Sequence, residues 1–334
     1  MAAATGYAMS RLQCNRVLWI TRPAVQVPTF MVTRALTKLS TTALRRRPFY
    51  SMSIELTNDE QQTLEMIETV VSFISQFDSC AVAMSAGVDS VVVAKAAFLA
   101  LSDKAFAVTA QSPSLASGEL EQARQFAGLI GIQHQVLQTT EFSNPSYIQN
   151  QGDRCYHCKS ELYGQMAALA HSLDGQTLLN GTNTDDLGDY RPGLQAATEN
   201  KVRSPLAECG INKAGVRAMA RYWNLPVWDK PASPCLSSRV AYGEEVTPER
   251  LQMIDQAEQF LRQQGIEPVR VRYHKGDLAR VEVPPEYIEQ LMASDLREIL
   301  ERHLRELGFQ FVTIDLNGFK SGSLNQLLQI ETSK

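Results

Sequence analysis

From Met52 onward the chain alternates short apolar runs with stretches whose apolar residues recur at helical spacing. Thr57-Asn58-Asp59-Glu60 has the form of a capping box and opens a helix carrying Leu64, Ile67, Val70 and Val71. An apolar run over 80–84, a small-residue turn over 85–90 and a helix over 91–101 make a strand, loop and helix unit. Strands over 106–110, 134–137 and 177–180 then alternate with helices over 118–130 and 154–173. That order predicts an α/β fold, a doubly wound, Rossmann-like parallel sheet covered on both faces, with ligands at the carboxyl ends of its strands. Asn212 is placed to cap a helix over 213–223, with Pro226 at its exit. The segment 229–243, rich in Pro and Ser, reads as a junction that divides a domain over 52–228 from a smaller α+β domain over 229–334. The second domain has a helix opening at Thr247-Pro248-Glu249, strands over 269–273 and 280–283, a helical stretch to Leu307 and a last strand over 309–314. No internal repeat or low-complexity segment interrupts the pattern.

Composition narrows the function classes. A chain of 334 residues, 44% hydrophobic and 20% charged, can bury one large or two modest cores, which excludes a disordered chain or a small disulfide scaffold. The apolar stretch over 80–101 is broken by Ser85, Gly87, Asp89 and Lys95, so it is not a membrane helix. Residues 1–51 hold eight Lys or Arg and no acid, which leaves 24 basic against 36 acidic residues, net −12, in the remainder. So acidic a body is a poor candidate for gripping nucleic acid, though it can hold a small phosphorylated ligand. The segment 1–51 has the composition of an organelle transit peptide, and an upstream start chosen in translating the gene is the alternative. The expected location is cytoplasmic, or organellar if the extension is a transit peptide. Six scattered cysteines fit a reducing compartment.

Chemistry enters at Ser85-Ala86-Gly87-Val88-Asp89-Ser90, where small residues between strand and helix let backbone N–H groups converge on a phosphate. The loop resembles the SGGxDS pyrophosphate loop of the PP-loop ATP pyrophosphatases, which split ATP between the α and β phosphates and transfer AMP. Ala86 stands where that family usually has Gly, so a positive φ is less accessible there. A second loop over 181–193 brings Gly181, Thr182, Asp185, Asp186, Asp189 and Arg191 to the end of the next strand. Its acids can hold Mg²⁺ on a pyrophosphate or form a solvated loop of Asx turns.

Cys155 and Cys158 lie one turn apart on a predicted helix, about 5–6 Å from each other. Far along the chain stands Pro234-Cys235-Leu236-Ser237-Ser238-Arg239. With these pieces, the phosphate loop, Arg154 to Lys159, 181–193, Arg203-Ser204-Pro205-Leu206, Tyr242-Gly243 and Val269 to His274, the chain from about Met52 to Gln329 resembles the LarE family. Members are ATP-dependent sulfur transferases that thiolate pyridinium biscarboxylic acid mononucleotide on the way to the nickel-pincer cofactor of lactate racemase. The resemblance implies an enzyme that adenylates a carboxylate and then attacks the acyl carbon with sulfur, with ATP and Mg²⁺ as cofactors and a small-molecule nucleotide substrate as partner. A homo-oligomer is left open.

Two versions of sulfur donation exist in that family. In one, a lone cysteine at the position of Cys235 surrenders its sulfur and becomes dehydroalanine. In the other, three cysteines, here Cys155, Cys158 and Cys235, hold a 4Fe-4S cluster that carries an extra sulfide. The pairing of Cys155 with Cys158 favours the second, against a structural zinc site completed by His157 or Cys209, a CxxC redox pair or ordinary buried thiols. Cys14, Cys80 and Cys209 read as incidental. Cys235, Arg239 and Asp189 are the expected catalytic residues, and Arg270, Arg272 and Ser238 the substrate contacts. Arg270 and Arg272, two apart on a strand, share a face, and Glu282 is a further candidate. Another PP-loop enzyme, a transfer-RNA thiolase or an amide-forming synthetase, and an inactive nucleotide-binding regulator are the alternatives.

Overall fold

The computed structural model describes residues 57–171, 177–188 and 192–320. Contacts divide the chain into Met1–Ile54 and Glu55–Lys334. The basic extension over 1–51 and Asp189 therefore lie outside the described residues.

Helix α1 (Asn58–Ile74) begins at the expected capping box, with the Thr57 hydroxyl and Glu60 carboxylate each accepting from the other's backbone N–H. Next come β1 (Cys80–Ala83), α2 (Val88–Leu101), β2 (Ala105–Gln111), α3 (Glu119–Ile130) and β3 (Gln133–Gln138). The short α4 (Pro145–Ile148) and the long α5 (Arg154–His171) lead to β4 (Thr177–Leu179). Then follow α6 (Pro192–Glu199), α7 (Pro205–Glu208) and α8 (Lys213–Tyr222), the last capped by Asn212 on the Gly215 N–H.

All pairings among β1 to β4 are parallel, in the order β3-β2-β1-β4. The chain steps outward from β1 through β2 to β3, then returns to the other side of β1. The crevice between β1 and β4 is thus the switch point of the sheet, where an open α/β fold binds its ligand. Alternation along the strands covers both faces, as expected for a doubly wound sheet. Cys80 and Val82 of β1 join α1, α2, α3 and α8 in one core, while Ala81 joins Leu162, Tyr163 and Met166 of α5 in another. Helix α2 is buried on several sides, which explains the apolar run of the sequence as a core helix. No helix among the described residues is long and apolar enough to cross a membrane.

The remaining elements are α9 (Pro248–Gln263), β5 (Arg270–His274), β6 (Leu278–Glu282), α10 (Ile288–Met292), α11 (Ser294–Glu306) and β7 (Phe311–Ile314). They form a small mixed sheet, β5 antiparallel and β7 parallel to β6, under α9 and α11. Tyr147 of α4 is buried in the core of this second sheet. A segment from the first half of the chain thus helps to build the second layer, beside the turn that carries Cys235.

Candidate functional site

The phosphate loop is organised by Ser90. Its hydroxyl accepts from the Ser85 N–H at 3.0 Å and lies 3.0 Å from the Ser85 carbonyl and 3.1 Å from that of Gly87, while the Gly87 N–H donates to the Ser85 hydroxyl at 3.2 Å. Ala86 is buried and is not among the residues with positive φ. Gly87 is extended, at φ −85° and ψ 149°. The alanine therefore imposes no backbone strain on the loop. Helix α2 begins at Val88, three residues earlier than the pattern predicts, so Val88, Asp89 and Ser90 form its first turn. No side chain caps this helix, which leaves its first N–H groups without a side-chain acceptor.

Asp89 accepts from Lys213 Nζ at 2.6 Å and from Asn183 Nδ2 at 3.1 Å. The second loop thereby leans on the first, and Gly181 sets how closely. A Cβ at this position would lie 2.7 Å from the Ser90 backbone N and 2.9 Å from the Asp89 carbonyl carbon. Gly181→Ala should cost about 1–3 kcal/mol in chemical denaturation, as overpacking against backbone does. It should also loosen the loop over 85–90, read as faster hydrogen exchange there, and unchanged values for both would show that the loops can separate freely.

Asp185 and Asp186 are turned onto the backbone. Asp185 accepts from the Lys213 N–H at 3.0 Å, and Asp186 closes a capping box with Asn183 at 3.1 Å. Asp185 thus ties the loop to the start of α8, and Asp186 helps to close the turn. The buried Asn180 amide holds the loop at its root by accepting from the Thr182 N–H and the Ser204 hydroxyl.

The three expected cysteines lie near enough to influence one another's charge. Cys155 and Cys158 sit in the first turns of α5, and Cys235 opens a short helical turn over Leu236–Arg239. What joins them is Asn150, held at φ 53°, a conformation that Asn tolerates better than most residues. Its side-chain amide donates to the carbonyls of Val240, Ala241 and Glu244, while its carbonyl accepts from the buried Arg154. Arg154 also donates to the Ser237 carbonyl at 2.7 Å, and the Tyr147 hydroxyl lies 2.7 Å from that of Ser237.

The thiols feel one another. Burial pushes Cys158 up to about 12, Lys159 opposes this, and Cys235 adds to it. Cys155 is likewise raised by burial and by Cys235, while Arg154 and Lys159 counter the rise. Lys159 itself is held above its ordinary value, first by Tyr163 and, against burial, by the three cysteines. Three soft donors flanked by two fixed cations suit a thiolate-rich, negatively charged group such as an iron-sulfur cluster. Among the described residues no three His, Cys, Asp or Glu side chains, these three cysteines included, gather as closely as a single metal ion requires. Cys209 meets Thr69 of α1 in a different core, and His157 pairs with Asp153.

The three arginines divide into different roles. Arg239 is fully buried in a two-pronged ion pair with Glu258, at 2.9 and 3.1 Å, and donates to the carbonyls of Pro234 and Cys235. It orients the Cys235 turn instead of facing a substrate. Arg272 is paired with the buried Glu282 at 2.9 Å and donates to the Ser238 carbonyl. Arg270 is also buried; it donates to the carbonyls of Val269 and Ala232 and lies over the Phe319 ring, with no carboxylate hydrogen-bonded to it among the described residues. Burial and then the neighbouring Arg239 pull its pKa down to about 10. Glu258 partly offsets this. Ser238 is half-buried, with its hydroxyl on the Cys235 carbonyl at 2.7 Å.

Sequence reasoning missed Asn150, Lys213, Lys230 and Glu258. Each acts across a long separation, through a partner that no local spacing reveals. Lys159 was legible as the last residue of the cysteine motif, though not as a cation between the thiols.

No protein-family model matches the chain. It is 48% identical over 262 residues to an uncharacterized protein of Synechocystis sp., covering 78% of this chain and 97% of that one. It is 35% identical over 261 residues to the pyridinium-3,5-bisthiocarboxylic acid mononucleotide synthase of Lactiplantibacillus plantarum, covering 78% and 94%. Over 191 residues it is 32% identical to the tRNA-specific 2-thiouridylase MnmA of Azorhizobium caulinodans, covering 46% and 48%.

Proposed function

Because this chain belongs to the LarE family of PP-loop sulfurtransferases, we propose that it uses ATP to adenylate a carboxylate of pyridinium biscarboxylic acid mononucleotide and replaces the activated oxygen with sulfur, in nickel-pincer cofactor synthesis. The observation that supports this reading is the mutual influence of Cys155, Cys158 and Cys235, whose chain segments Asn150 and Arg154 tie together, with the buried Arg270 bonded to the Ala232 carbonyl three residues before Cys235.

The uncapped N-terminus of α2 and the loop over 85–90 hold the phosphates of ATP. A substrate carboxylate oxygen attacks the α-phosphorus and pyrophosphate leaves, which makes the acyl carbon electrophilic. Sulfur then attacks that carbon, and AMP departs with the original oxygen. Arg270 binds an anionic group of the substrate, and Arg239 holds the Cys235 turn by its carbonyl. Cys155, Cys158 and Cys235 would hold a 4Fe-4S cluster, which supplies a free iron for an extra sulfide, the atom to be transferred. Arg154 and Lys159 balance the charge of the thiolates.

Incubation with ATP, Mg²⁺ and the biscarboxylic mononucleotide is expected to yield AMP, pyrophosphate and a product in which oxygen has been exchanged for sulfur, read by mass spectrometry. ADP as the main nucleotide product would sink the assignment. The likeness to MnmA motivates transfer-RNA thiolation as a second reading. The net −12 of the body weighs against it, and sulfur incorporated into transfer RNA but not into the mononucleotide would reverse the order.

A further inference from the structure

Lys230 lies in the junction shortly before Cys235. Its ammonium donates to the Ala86 carbonyl in the phosphate loop at 3.1 Å, to the Glu119 carboxylate of α3 at 2.9 and 3.1 Å, and to Gln122 Oε1 at 2.8 Å. The Lys230 and Glu119 side chains are only 20% and 16% exposed, so the pair is shielded from the screening that makes surface ion pairs weak. Arg217 fixes the same stretch of backbone from α8 by donating to the carbonyls of Trp228 and Lys230 at 2.5 and 3.0 Å.

Downstream the junction is held by other cations. Ala232 accepts from Arg270 at 3.0 Å, and Cys235 accepts from Arg239 at 3.0 Å. The segment is therefore pinned at one end to the phosphate loop and at the other to the arginines around the sulfur chemistry. Few residues separate the two anchors, so the chain between them has little slack.

We propose that Lys230 is a positioning residue that couples occupancy of the phosphate loop to the placement of Cys235. A polyphosphate in the loop brings negative charge beside an ammonium already shared between Glu119 and the Ala86 carbonyl. That charge alters how the ammonium divides itself between them, and the junction backbone moves with its lysine. Adenylation and sulfur attack occur in sequence, and the link would ready Cys235 only when nucleotide is bound. The inference rests on the reading that the loop over 85–90 holds ATP.

Hydrogen exchange on the full chain, with and without α,β-methylene-ATP, tests the coupling without requiring turnover. In the wild type the analogue should slow exchange in the peptide over 231–240 as well as in the phosphate loop, by about fivefold or more, the lower range of site-to-site coupling. Lys230→Met should keep protection of the loop and lose that of the junction, and Lys230→Arg should restore most of it. Should Lys230→Met not fold, Glu119→Gln removes the counter-ion and should weaken the junction response. In turnover, Lys230→Met should raise the AMP formed per thiolated product, as activated substrate is lost to water, whereas general damage would lower both together. Junction protection in Lys230→Met equal to the wild type would overturn the proposal, as would a wild type protected at the loop alone. A wild type protected at neither would remove the ATP-site reading as well, while normal protection without AMP formation would remove only the proposed reaction.

Discussion

On the proposed reaction, Cys235→Ala is expected to abolish thiolation, by at least about 10³-fold as for the loss of a group that acts in the bond-forming step, while ATP should still be cleaved to AMP and pyrophosphate in the presence of substrate. The phosphate loop and the second loop are held by Ser90, Gly181 and Asp89, none of which touches the Cys235 turn through a hydrogen bond. Adenylation should therefore survive. Cys235 is exposed and is flanked by the thiols of Cys155 and Cys158 and the cations of Arg154 and Lys159. If the three cysteines hold a cluster, Cys155→Ala and Cys158→Ala should match Cys235→Ala in losing both iron and thiolation, measured on anaerobically prepared protein. Activity in the wild type should then continue for many turnovers when sulfide is supplied. An iron-free wild type that thiolates once and shows dehydroalanine at Cys235 by intact mass would move the sulfur source to Cys235 itself. Thiolation by Cys235→Ala would remove this residue from the mechanism altogether.

Glu258→Ala should be the most damaging substitution to stability, at about 3–5 kcal/mol, because it leaves the guanidinium of Arg239 buried without its counter-charge. Both side chains have no exposure to solvent. Glu258 also accepts from the Val271 N–H at 3.1 Å and from Arg262 at 2.7 Å, so one truncation orphans donors on the Cys235 turn, β5 and α9 together. Since globular domains are stable by only about 5–15 kcal/mol, the variant should unfold at a much lower denaturant concentration. Replacing both partners, Arg239→Met with Glu258→Leu, should recover much of the loss, because a buried pair can be exchanged for apolar side chains more cheaply than it can be broken. The double variant should fold yet transfer sulfur poorly, since the Cys235 carbonyl loses the guanidinium that orients it. A single variant as stable as the wild type would show that Arg239 can reach solvent or another partner.

The sheet domain was legible in the sequence because its signals are local. The capping box at Thr57 and Glu60, the Asn212 cap and the apolar run of β1 sit where the pattern predicts, each depending on neighbours within a few residues. The loop over 85–90 was legible for the same reason, as one short loop between a strand and a helix. Helix α6 was not, since Pro192 and Gly193 read as the end of a loop and its buried faces are small alanines. The roles of the arginines were also hidden. Arg270 and Arg272 look equivalent on one strand face, yet Arg270 lies opposite Glu282 without bonding it, and Arg272 takes that carboxylate from opposite Arg280. Side-chain reach across a pleated sheet, and not register alone, chooses the partner.

By itself, then, the sequence determined the α/β alternation, the phosphate loop and which cysteines and arginines were candidates, because periodicity, capping and small-residue turns act over a few residues and need no knowledge of the rest of the chain. Only the tertiary structure decided the strand order β3-β2-β1-β4 that opens a crevice beside β1, and the meeting of Cys235 with Cys155 and Cys158. It also separated the arginines held in ion pairs from Arg270, which donates to carbonyls, and brought Lys230 to the Ala86 carbonyl. Those outcomes depend on which distant groups compete for the same carboxylate or carbonyl once the cores have closed, and desolvation makes that competition decisive only in the folded state.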